Sequence, residues 1–145
     1  MDKLIMTFQI FIDNSQITDL NGEYGSVSMI PFTGKVESDL FTGTILPGAA
    51  DVQVENVAGS RHMCAKYMFK GRDSEGTECY LFVENNGYFT SANKQDLYLQ
   101  ACPRFISDSH VLGAYLCQTR FRSEVQGTDG GVEIRIYDVL WEKKE

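Results

Sequence analysis

Apolar and polar residues alternate with a period of two along most of this chain, and nowhere does a helical period persist over a dozen residues. Segment 4–12 places Leu4, Met6, Phe8, Ile10 and Ile12 on one face of a strand, and Asp13-Asn14-Ser15 then supplies turn chemistry. After the Asn21-Gly22 turn signal, strands are predicted over 24–32, 34–37 and 40–46, with Ser38-Asp39 as a hairpin link. Pro47-Gly48 ends that run, and 51–57 reads as the next strand, with Val52 and Val54 on the same side. The clearest hairpin pairs 61–71 with 77–85 around Asp73-Ser74-Glu75-Gly76. It puts Met63, Ala65, Tyr67 and Phe69 on one face of its first strand and Cys79, Leu81 and Val83 on one face of its second. Asn85-Asn86-Gly87 is expected to close it. Segments 88–92 and 97–102 look extended, and Pro103 is expected to interrupt a central ladder. The last pair, 114–125 and 132–141, is joined by Gly127-Thr128-Asp129-Gly130-Gly131, leaving 108–113 as the one place for a helical turn.

Short strands at this spacing predict an all-β fold in a single antiparallel domain spanning 1–145, a sandwich or a barrel, with little or no helix. Several strands are apolar on both faces. In the last one Val132, Ile134 and Ile136 oppose Tyr137, Val139 and Trp141 in parity, which implies either a bulge near Ile136 or a second buried surface such as a homo-oligomeric contact.

A chain of 145 residues with 43% hydrophobic and 23% charged residues is long enough for one core without metals or disulfides. Its formal charge of −7 argues against nucleic acid or an anionic membrane as partner, since both demand a basic footprint. With no leader-like or spanning segment, a cytoplasmic location is expected. The four cysteines, Cys64, Cys79, Cys102 and Cys117, form no C-x-x-C pair and all fall in predicted strands, where cysteine usually serves as a small hydrophobe. Neither a metal site nor a cofactor is expected: His62 and His110 lack metal-ligand or triad companions, and the Gly127–Gly131 stretch lacks the lysine and following helix of a phosphate loop.

Three segments carry a family likeness: Ile30-Pro31-Phe32-Thr33-Gly34 through Leu46-Pro47-Gly48-Ala49-Ala50-Asp51; Ala65-Lys66-Tyr67 through Leu81-Phe82-Val83-Glu84-Asn85-Asn86-Gly87; and Tyr98 through Pro103-Arg104-Phe105 to Tyr115-Leu116. In order and spacing they resemble the domain-of-unknown-function family 3237. Lys35, Val52 and Cys117 depart from its pattern where a glycine, a tryptophan and an asparagine are expected. The resemblance implies a small antiparallel barrel of the streptavidin or allene-oxide-cyclase type, and no established reaction comes with it.

Small barrels hold ligands in the interior or mouth, so polar residues near strand ends are the candidates. Asp51, Tyr67, Asn85, Arg104 and Tyr115 are the expected ligand-binding set. Asp51 either faces a ligand or satisfies backbone N–H groups in a turn. Arg104 either clamps a carboxylate or makes a structural salt bridge. Tyr67 and Tyr115 either donate to a carbonyl or pack the core with a wet tip. Asp51 and Glu84 would form a general acid if they met across the barrel. The leading expectation is a barrel that binds a small, partly apolar molecule bearing a carboxylate or carbonyl. The alternatives are a cofactor-independent isomerase or cyclase acting on a small apolar substrate, and a homo-oligomeric structural protein.

Overall fold

The computed structural model describes residues 2–57, 59–89 and 102–142. It contains eleven strands in one antiparallel sheet: β1 (Lys3–Phe11), β2 (Thr18–Gly22), β3 (Gly25–Pro31), β4 (Thr33–Glu37), β5 (Phe41–Ile45), β6 (Ala50–Asn56), β7 (Arg61–Asp73), β8 (Glu78–Phe89), β9 (Cys102–Ser107), β10 (Phe121–Thr128) and β11 (Gly131–Asp138). A 3₁₀ turn at Asn14–Gln16 and one helix, α1 (His110–Leu116), complete it.

The barrel wall runs β10-β11-β1-β4-β5-β7, continues through β8, which pairs with β7, and ends at β9. Among the described residues β9 pairs only with β8, so no backbone ladder joins β9 to β10. Side chains span this seam instead. The rings of Phe105 and Phe121 meet edge to face at 5.7 Å, and Ser123 Oγ donates to Asn85 Oδ1 at 3.2 Å.

Strand β7 forks one edge of the sheet. Phe69 to Asp73 pair with β5, whereas Arg61 to Lys66 pair with β6, which carries β3 and β2 outward as a flap. Close approach at the fork needs glycine: Gly71 faces Gly43, and a Cβ on Gly71 would lie 1.9 Å from the Thr42 carbonyl oxygen.

Period-two patterning produces the core directly. Phe8, Phe41, Phe69, Leu81, Val83 and Ile136 are fully buried on the inner face, with Phe8 and Phe69 rings 4.9 Å apart. One end is plugged by α1, whose Leu112 and Leu116 are buried and whose first turn is capped by Ser109 Oγ. Ser109 Oγ also donates to Asp73 at 2.7 Å. That carboxylate accepts from the Glu75 and Thr77 amides as well, and these bonds, Ser109's foremost, hold its pKa below the usual value.

Several expectations change. The parity break lies on β1, as a register shift between Leu4 and Met6, so Leu4 pairs with outward Tyr137 while Met6 pairs with inward Ile136. In β11 the inner run continues from Ile136 to buried Asp138, and the outward rings are covered by cations, Arg122 over Tyr137 at 4.2 Å and Lys3 over Trp141 at 3.7 Å. Asn85-Asn86-Gly87 does not close the central hairpin, since β8 runs straight through to Phe89: Asn85 bonds Ser123, Asn86 meets His62, and Gly87 faces Met63. The expected strand 114–125 is helical to Leu116 and extended only from Phe121, so Cys117 is an exposed residue at the end of α1 rather than a strand hydrophobe. Pro103 sits inside β9, tolerated because among the described residues that strand pairs on one side only. β2 carries no apolar alternation to announce it and is exposed throughout. The extended segment expected at 97–102 lies almost wholly outside the described residues, as does part of that at 88–92.

Candidate functional site

At the end of the barrel away from α1, the inner face bounds a partly open cavity of about 270 Å³. Its walls are mostly apolar, with Ile10, Ile30, Phe32, Met63, Val125 and Ile134 contributing from six strands or their junctions. Among the described residues, three polar side chains join them: Asp51, Gln53 and Asn85. Register explains how they meet. Ile30, Asp51, Ala65, Asn85 and Pro103 form one cross-strand row through β3, β6, β7, β8 and β9, so Asp51 and Asn85 flank the small Ala65.

Among the described residues lining the cavity, Asp51 is the ionisable one. Gln53 Nε2 donates to Asp51 Oδ2 at 2.8 Å, and Arg61 Nε donates to Gln53 Oε1 at 2.8 Å, which fixes the amide that fixes the carboxylate. Asp51 Oδ1 is buried and has no hydrogen-bond partner among the described residues. Burial pushes its pKa up, and the Gln53 hydrogen bond with the charges of Arg61 and His62 opposes this without cancelling it. Asn85 is also buried, and with Oδ1 accepting from Ser123, the donor it can offer the cavity is Nδ2.

A wider groove of about 620 Å³ lies outside the cavity between the 3₁₀ turn, β3 and the Pro47-Gly48 turn, and shares Ile12 and Phe32 with it.

Of the expected set, Asp51 and Asn85 are brought together. Tyr67 lies on the same inner face but deeper, its ring packed edge-on against Phe32 at 5.1 Å and Phe8 at 6.1 Å. It belongs to the core beneath the cavity. Arg104 projects from the outer face of β9, exposed and opposite Glu84, because alternation sends its neighbour Phe105 inward. The same parity puts Glu84 outside, so Asp51 and Glu84 do not meet. Replacing Arg104 with alanine is therefore expected to shift the melting temperature by no more than about 2 °C and to leave ligand affinity at the cavity unchanged, as thermal melts with and without ligand will show.

Tyr115 lies at the opposite end, on α1. Its hydroxyl donates to Asp138 Oδ2, Arg120 Nε donates to Asp138 Oδ1 at 2.8 Å, and the Leu140 amide donates to the same oxygen at 3.0 Å. Burial alone would raise the Asp138 pKa, but Arg120, Tyr115 and the Leu140 amide hold it below the usual range. Tyr115 is pushed up, first by burial and then by its bond to that carboxylate. Asp138 and the cavity residue Val132 share the inner face of β11, separated by roughly 20 Å of strand at about 3.4 Å per residue. The Tyr115 cluster is thus an anchor for α1 and no part of the cavity.

The family described as "Protein of unknown function (DUF3237)" matches residues 3–124. The chain belongs to DUF3237. Its fold is similar to that of a protein of unknown function from Clostridium acetobutylicum ATCC 824, at a TM-score of 0.73 and 22% identity over 94% of this chain and 95% of that one. A conserved protein of unknown function from Rhodopseudomonas palustris matches equally, at a TM-score of 0.73 and 22% identity over the same shares. A β-barrel-like protein from Acinetobacter baumannii AYE matches at a TM-score of 0.68 and 19% identity, again over 94% and 95%. No curated protein matches the chain in sequence. The DUF3237 assignment and these likenesses carry a fold and no assigned function.

In this DUF3237 chain, sequence reasoning missed Gln53, Ser123 and Asp138. Gln53 was recoverable, since it sits two residues from Asp51 and must share its face. Ser123 and Asp138 were not, because their partners lie on strands and a helix distant in sequence.

Proposed function

We propose that the chain is a cytoplasmic binding protein for a small, mostly apolar molecule, held in the inner cavity with its polar end against Asp51 and Asn85. The observation that supports this reading is Asp51 Oδ1, a buried carboxylate oxygen with no partner among the described residues, on the wall of an apolar cavity. Leaving such an atom unpaired costs about 1–3 kcal/mol, which a ligand hydroxyl or amide donor would recover. A carbonyl oxygen is suited to Asn85 Nδ2. A ligand carboxylate is not favoured, because the described residues lining the cavity include no lysine or arginine and do include an acid. The thiols Cys64, Cys79 and Cys117 are unbridged, in keeping with a reducing compartment.

Ala65 is the position to test. Its methyl faces the cavity between the two polar groups, so Ala65→Leu fills the space where the ligand's polar end would lie. Small alcohols, ketones and amides are expected to raise the wild-type melting temperature in a saturable way, and Ala65→Leu is expected to abolish the shift while melting within a few degrees of wild type. A panel that shifts both proteins equally, or neither, would count against the reading.

A homo-oligomeric role has its own support. Leu20, Met29 and Val54, each 43% exposed or more, lie on the outward face of the β2–β3–β6 flap with Val27 and Val52 between them. Light scattering across a concentration series tests it, a monomer throughout being the unfavourable result.

A further inference from the structure

We propose that Asp51 and Asn85 act together as a proton-transfer site on an enolisable carbonyl compound. This rests on the binding reading above and adds a reaction to it. A proton-transfer site of this kind needs a base sheltered from water, a donor fixed where negative charge develops, and a gap between them the size of a carbonyl and its neighbouring carbon. All three are present. Asp51 has one oxygen committed to Gln53 and the other buried beside an apolar wall with no hydrogen-bond partner among the described residues. Asn85 Oδ1 accepts from Ser123, so the donor its amide can turn to the cavity is Nδ2. Ala65, with the smallest side chain that keeps a Cβ, separates them across two strand spacings, about 10 Å between Cα atoms, leaving room between the inward side chains.

The step balances without a co-reactant. Asp51 takes the proton from the carbon beside the carbonyl. The electron pair of the broken C–H bond becomes the carbon–carbon double bond of an enolate, whose oxygen is held by Asn85 Nδ2. The proton then returns from Asp51, either to the same carbon or, in a β,γ-unsaturated ketone, to the γ carbon. In the second case the double bond moves into conjugation and the product is an isomer. Nothing is oxidised or reduced.

Burial favours the chemistry in both directions: it makes the carboxylate more basic than one in water, and the same pocket strips the substrate of competing water. Gln53 is a positioning residue here. Its amide, itself held by Arg61, keeps Oδ2 occupied and so aims Oδ1.

The test uses 2-tetralone and 3-cyclohexen-1-one with the full chain, measuring binding by saturable thermal shift, α-proton exchange in D2O by NMR, and formation of the conjugated enone by ultraviolet absorbance. Wild type is expected to bind both and to accelerate exchange over buffer. Asp51→Asn is expected to keep binding within about tenfold and lose at least about 100-fold of the acceleration. Asn85→Leu is expected to lose about 10–100-fold. Asp51→Asn should melt no lower than wild type at neutral pH, because the replaced carboxylate is the form that burial disfavours, so loss of rate cannot be ascribed to unfolding. Binding without acceleration, or acceleration that survives Asp51→Asn, overturns the proton-transfer proposal and leaves the binding reading standing. No saturable shift with either ketone overturns both.

Discussion

Replacing Phe69 with alanine is expected to lower stability by about 3–5 kcal/mol, seen as a fall of roughly 10–15 °C in melting temperature. Phe69 is fully buried on β7 where that strand turns from the flap to the barrel wall. Its ring lies 4.9 Å from Phe8, 6.1 Å from Phe41 and 5.7 Å from Tyr67, so one truncation removes contacts to three other aromatic rings. The surrounding strands are held in register by their ladders and have little freedom to collapse into the hole, which places the cost toward the upper part of that range. Chemical denaturation checks the size, and a loss below about 1.5 kcal/mol would show that the aromatic cluster is not the centre of the core.

The second large effect is at Asp138. Asp138→Ala is expected to cost about 3 kcal/mol at neutral pH, since it removes a fully buried carboxylate on which Tyr115, Arg120 and the Leu140 amide all converge. The effect depends on pH in a definite sense. With the folded-state pKa depressed, the unfolded chain takes up a proton more readily than the folded one, so the contribution is complete above the ordinary value near 3.8 and is lost as pH falls through the depressed one. Melting curves of wild type and variant should therefore lie furthest apart near neutrality and converge in acid below about pH 4. Curves that stay equally separated down to pH 2 would mean that the carboxylate's charge is not what holds α1 in place.

Much of the fold is legible in the alternation of residues, because a strand with one buried face writes that face into every second position. Phe8 and Ile10 in β1, Met63 to Phe69 in β7 and Ile134 to Ile136 in β11 follow this rule. The rule fails where a residue's partner is remote. The glycine of Asn85-Asn86-Gly87 looks like a turn until Met63 and His62 are seen across the ladder, and 114–116 looks extended until Ser109 is found capping a helix that runs on to Leu116. Parity also reveals which residues share a face but not whether that face is inside. Asp51 and Arg104 are equally polar and equally close to turn-like residues, yet one points into the cavity and the other to solvent. The direction is set by Phe105 and by the β6–β7 register, neither of which is visible in the local sequence.

The seam between β9 and β10 has a consequence for how anything enters. Everywhere else around the described wall, widening the hoop means breaking backbone hydrogen bonds in a cooperative row. At the seam, among the described residues, it means sliding one phenylalanine past another and releasing the bond from Ser123 to Asn85. Breathing of the barrel is expected to concentrate there, with amide exchange along the facing edges of β9 and β10 outpacing that of β7 and β8. Because Asn85 is at once the clasp of this seam and the donor facing the cavity, an occupant that draws on its amide also tugs on the clasp. Filling the interior and fastening the wall become one event, and a ligand's grip would be read out as a slower rate of opening several residues away.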